Sequence, residues 1–175
     1  MKATDICEVF NHCFLVSHRT RLQGNADEPL YLPAGDDLKL NTIYFCQDFS
    51  ASALHEVSHW CIAGSSRRAK EDFGYWYDKQ RGYERQREFE HYEARPQALE
   101  WIFSVAAGIS FRVSYDNFDE EVLNSNQFRR QVRAAANEWL TVGLPGRAEK
   151  FVEALLARSG VADACNYSFY EELPN

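Results

Sequence analysis

The 175-residue chain is poor in the features that build extended, membrane-spanning or cross-linked proteins. With 9 glycines and 5 prolines it cannot be collagen-like or dominated by linkers. No stretch approaches the ~18 consecutive apolar residues of a membrane span. The longest apolar run, Trp101–Gly108, is broken by Ser104. Asp5 and Glu8 arrive before any continuous apolar core, so no secretory leader and no membrane partner are expected. The cysteines (Cys7, Cys13, Cys46, Cys61 and Cys165) contain no C-x-x-C pair. That excludes a cysteine metal cluster and points to reduced, mostly buried thiols in a cytoplasmic protein. The G-x-G-x-x-G, P-loop and nucleophile-elbow patterns are missing as well. Basic side chains are outnumbered 19 to 26, for a net charge of −7. Nucleic-acid binding through phosphate neutralisation is therefore not expected, whereas a cationic partner or substrate is permitted.

What is present reads as one globular unit. The chain is 45% hydrophobic, with no internal repeat or low-complexity divider, so a single domain over 1–175 is expected. Ile6, Val9, Phe10, Cys13 and Phe14 have helical spacing and predict a helix over about 4–15. Glu28-Pro29 and Leu32-Pro33 force an extended segment. The β-branched and aromatic run at 42–46 predicts a strand. A helix follows over 50–63, capped by Ser50 or Ser52 and ended by Gly64. Phe73–Tyr77 reads as a strand or ordered loop, and the charged run 79–90 as an exposed connection. Pro96 suits the first turn of a helix ending near Ala107, and Phe111–Tyr115 alternates weakly like a strand. Helices over about 126–142 and 146–158 close the chain. The expected class is α+β, helix-rich with a small sheet.

One motif carries chemistry. His55-Glu56-Val57-Ser58-His59 is H-E-x-x-H, which about 1% of chains with this His and Glu content would show by chance. Residues four apart on a helix are stacked one turn apart, so both imidazoles reach one metal ion. Glu56 then approaches a metal-bound water without being a ligand. Ala53, Leu54, Val57, Trp60 and Cys61 form a broad apolar face of the same helix, leaving the two histidines on another.

Two histidines need a third protein ligand, usually a carboxylate or another His. The stretch 89–98 offers Glu90, His91 and Glu93. If helix includes position 93, then Glu93, Gln97, Glu100 and Ser104 make one polar stripe, either a solvated face or a ligand-bearing one. Glu93 is the favoured third ligand, with Glu90 and then His91 behind it.

These stretches together resemble the bacterial elongation factor P hydroxylase family. The match rests on Asp27–Ala34, His55–Gly64, Arg67-Arg68, the Asp72–Tyr77 string, Glu90, Glu93 and Pro96–Leu99. It is clearest over 27–118. The resemblance implies a zincin-like fold carrying a non-haem iron site. The activity it implies is hydroxylation of the β-lysylated lysine of elongation factor P. The family's metal ligands would fall on His55, His59 and a downstream glutamate, placed at Glu93.

Spacing alone does not choose the metal. Two His and one carboxylate describe a zinc peptidase site and an iron oxygenase triad equally. Zinc would activate water for amide hydrolysis, with Glu56 as general base. Fe(II) would leave positions for dioxygen as co-substrate, with an electron donor that the motifs do not name.

Overall fold

The run read as a strand at 42–46 becomes the middle of a three-stranded sheet. This computed structural model describes residues 1–35, 39–71, 82–115 and 125–172. Strands β1 (Thr20–Ala26) and β2 (Leu30–Leu32) flank β3 (Asn41–Cys46). β1 pairs parallel to β3, with Leu22 opposite Ile43, and β2 pairs antiparallel, with Tyr31 opposite the same residue. The central strand buries Thr42, Ile43 and Phe45, as a β-branched and aromatic segment should. Near its end β1 bulges between Gln23 and Ala26. Gly24 is required there: a Cβ would sit 2.6 Å from the Gln47 carbonyl oxygen. β1 carries no strong apolar alternation, so its sequence alone does not predict a strand.

Helix α1 (Ala3–Phe14) buries Ile6, Val9, Phe10, Cys13 and Phe14, the set its spacing predicts. Helix α2 (Ser50–Ile62) leaves β3 through a three-residue link and buries Ala53, Leu54, Val57, Trp60 and Cys61. Its N-cap is Phe49, not Ser50 or Ser52. Ser52 Oγ instead accepts from the Cys46 backbone N–H at 3.1 Å, tying the helix to the strand before it. Gly64 follows the helix but caps the start of the short α3 (Ser65–Arg68). The basic turn at 65–70 is thus partly helical.

The largest departure lies in α4 (Tyr83–Ala107). Most of the charged segment expected to be an exposed connection is helix, and Pro96 sits in its interior rather than its first turn. Burial explains this: Pro96 is enclosed between Glu93–Ala94 and Gln97–Trp101, and that packing overrides the local cost of an interior proline. The helix stops where expected, at Gly108, whose φ of 66° is the left-handed cap. Phe111–Tyr115 forms no strand. Its Ser114 backbone pairs with the Gln97 side chain, which donates to the carbonyl at 2.7 Å and accepts from the N–H at 3.0 Å. The expected element at Phe73–Tyr77 lies outside the described residues.

Helices α5 (Ser125–Val142) and α6 (Gly146–Ser159) close the architecture, followed by a 3₁₀ turn at Tyr167–Tyr170. Phe10, Phe14, Trp60 and Phe151 pack ring to ring, joining α1, α2 and α6, and Phe103 of α4 meets Phe151 at 5.0 Å. Arg147 of α6 donates to the Trp60, Cys61 and Ala63 carbonyls at 3.1, 2.9 and 2.7 Å. Together with Arg68, whose Nη1 also donates to the Ala63 carbonyl, it holds the C-terminal end of α2. Among the described residues, six helices and a small mixed sheet make this an α+β fold. Among the described residues, no helix is long and apolar enough to cross a membrane.

Candidate metal centre

Two helices that the core presses together carry the site. The apolar face of α2 is fully used in packing, so its other face, with His55 and His59, is turned toward α4. There the two Nε2 atoms stand 3.1 Å apart. Glu93 of α4 places Oε2 3.5 Å from His55 Nε2 and Oε1 3.4 Å from His59 Nε2. His55 and His59 keep 24% and 14% side-chain exposure while Glu93 keeps 5%, so the cluster is enclosed but reachable.

These three distances test whether one ion fits. One ligand atom from each of the three residues lies within 4.8 Å of the others, a spacing that one divalent ion could bridge. Among the described residues these are the three whose donor atoms converge in this way. The donor set therefore suits a single divalent ion on one face, with its remaining positions open. Glu90 and His91 do not join it.

The stripe expected along α4 exists, but it is not solvated. Glu93, Gln97, Glu100 and Ser104 are all buried, and the same spacing continues backwards to Glu90 and Gln86, buried as well. Glu100 gives this stripe a part that sequence reasoning missed. Its Oε2 lies 2.9 Å from His55 Nδ1. An Nδ1–H donated to a carboxylate leaves Nε2 as the lone-pair donor facing the triangle. The available signal was the seven-residue step from Glu93 to Glu100, which returns to the same helix face.

The charges of the cluster act on one another strongly. Burial pulls the His55 imidazole down, but the hydrogen bond and charge of Glu100, with Glu93 and Glu56, raise it to about 10. Burial pushes Glu93 up, yet the charge and hydrogen bond of His59, with His55 and Gln97, carry it to about 2. Glu56 and Glu100 are both raised, chiefly by burial. A cation held by His55, His59 and Glu93 would compete with protons for the same donor atoms. Cys61, two residues past His59, is buried among apolar groups that push its thiol far up, so it is no ligand.

Comparison with known proteins narrows what such a centre serves. The sequence pattern of the elongation factor P hydroxylase family matches residues 9–167. The chain belongs to that family. A Haemophilus influenzae protein named elongation factor P lysine hydroxylase is 44% identical over 171 residues, covering 97% of this chain and 96% of the relative. The span shared with the elongation factor P hydroxylases contains all of α2 and α4, hence all three converging donors and Glu100. It also contains Arg147, which secures the end of the histidine helix.

Proposed function

We propose that this protein hydroxylates the β-lysylated lysine side chain of elongation factor P, using dioxygen and one Fe(II) held by His55, His59 and Glu93. The observation that carries the reading is the two-histidine, one-carboxylate triangle in a chain of this family. That donor set fits non-haem iron with open positions, and the ion would supply the activation of dioxygen needed to oxidise an unactivated carbon. The same donors would accept zinc during purification. The relative's name, a lysine hydroxylase, favours oxidation over the amide hydrolysis that a zinc H-E-x-x-H site would perform. The zincin-like fold that the resemblance implies fits a helix carrying both histidines beside a small sheet.

The chain's own residues have separable tasks in this reading. Glu100 holds the ring of His55 and fixes which nitrogen is free. Gln97, one turn further along α4, is fixed by its two bonds to the Ser114 backbone and favours the ionised form of the neighbouring Glu93 carboxylate. Glu56 sits on the histidine face but outside the triangle, so it is placed to hold or pass a proton beside the reacting carbon. Inserting one oxygen atom from dioxygen reduces the other to water and needs two electrons from an external reductant.

The test combines Fe(II), dioxygen, a small-molecule reductant and elongation factor P carrying β-lysyl-lysine. A mass gain of one oxygen on the modified side chain supports the reading. Its absence with the metal centre filled contradicts it.

A further inference from the structure

A second polar constellation begins one turn before Glu93. Glu90 is only 3% exposed, yet it takes no part in the ligand triangle. Its one hydrogen bond comes from Gln86 Nε2 at 3.4 Å, and no cation forms an ion pair with it among the described residues. A carboxylate offers about four acceptor positions, so most of its capacity is unused where desolvation penalises it. Burial accordingly pushes Glu90 up. Across from it on α5, the buried amide oxygen Gln131 Oε1 receives no donor. Both residues line one cleft between α4 and α5, of about 370 Å³. Glu84 and Glu88 line it too, against the single guanidinium of Arg87.

We propose that this cleft binds a primary ammonium group, with Glu90 as its counter-ion and Gln131 Oε1 as a second acceptor. The unmet groups are all acceptors, so the ligand must be a donor, and three carboxylates in a lining that also holds Arg87 and His91 favour a positive one. An –NH₃⁺ group is compact and brings three donors. A metal ion is disfavoured, because no three ligand atoms converge there as they do at His55, His59 and Glu93. Glu90 precedes Glu93 by three residues, a rise of about 4.5 Å along the helix. The cleft opens on the α5 side of α4 and no triangle residue lines it, so we assign its ammonium to the free amine of the β-lysyl-lysine side chain, passing round α4 from the metal centre. That assignment of the ammonium to the substrate rests on the reaction proposed above; the ammonium site itself does not.

Two arms separate these claims. In the first, 1,5-diaminopentane is titrated into the full chain by calorimetry, with its diacetylated, uncharged form as control. The wild type binds the diamine, the control does not bind, and Glu90→Gln and Gln131→Leu each weaken binding, the former about tenfold or more. Equal binding by wild type and Glu90→Gln, or binding of the uncharged form, overturns the site. In the second arm, Glu90→Gln acts on β-lysylated elongation factor P. KM rises about tenfold while kcat stays within about twofold and metal content is unchanged. An unchanged KM overturns the assignment to substrate. A wild type that leaves the factor unoxidised contradicts the proposed function instead, and the diamine arm still decides the cleft.

Discussion

Glu100 Oε2 lies 2.9 Å from His55 Nδ1, so a buried carboxylate grips the edge of the ring turned away from the ligand triangle. It comes from the same helix as Glu93, two turns further on. One stripe of α4 thus supplies both the third donor and the residue that orients the first.

Removing this grip should weaken the metal without abolishing it. Glu100→Leu is expected to lower affinity about 10–100-fold, while Glu100→Gln, which still accepts from Nδ1–H, loses less. Competition against a chromophoric chelator measures both. Equal affinities in all three proteins would show that the contact has no bearing on the metal.

The triangle itself makes a sharper demand. Wild type should bind one divalent ion per chain and gain thermal stability as the ion is added, because only the folded chain brings α2 and α4 together. His59→Ala and Glu93→Gln should lose both the stoichiometry and the metal-dependent rise in Tm. Glu56→Gln should retain both and lose turnover.

How much of this was readable in the sequence differs between the two helices. For α2, the apolar face and the H-E-x-x-H face are both local patterns, and each is found where periodicity places it. For α4 the local preference of Pro96 is a first turn, which places the predicted helix start too late. What extends the helix back to Tyr83 is tertiary: Gln86, Phe89 and Glu90 are buried, which no charge count of that segment reveals. Glu93 was reachable because two histidines demand a partner. Glu100 was visible only as a member of a stripe. Its bond to His55 depends on how far apart the two helices pack, and spacing along one chain does not encode that distance. The pairing of Gln97 with Ser114 was hidden for the same reason.

Arg147 gives a stability prediction away from the metal. Its guanidinium bonds three carbonyls at the end of α2 and lies 4.9 Å from the centre of the Trp60 ring. Arg147→Ala should cost about 2–3 kcal/mol in chemical denaturation. Lysine should not restore it in full, since an ammonium placed on the carbonyls has no planar group to stack on the indole. A loss under about 0.5 kcal/mol would mean that helix packing alone holds this end.

Glu90 sets a pH dependence with a definite sign. Burial raises its folded pKa above the unfolded value near 4.5. Below that value both states are protonated and ionisation costs nothing. As pH rises through the window above 4.5 the unfolded chain loses the proton first, so stability falls until the folded carboxyl has also ionised. Glu90→Gln should therefore be more stable than wild type at neutral pH, with the difference vanishing in acid. Urea denaturation at pH 4 and pH 7 checks this, and a variant less stable at both would contradict it.

The central claim is that the His55, His59 and Glu93 triangle works as an iron-dependent hydroxylation centre. The most direct test loads anaerobically purified protein with one equivalent of Fe(II) or of zinc, then adds β-lysylated elongation factor P, reductant and isotopically labelled dioxygen. The expected result is one labelled oxygen atom on the modified lysine with iron, none with zinc, and none in Glu93→Gln. An iron-loaded wild type that leaves the substrate mass unchanged, or activity that survives in Glu93→Gln, would contradict it.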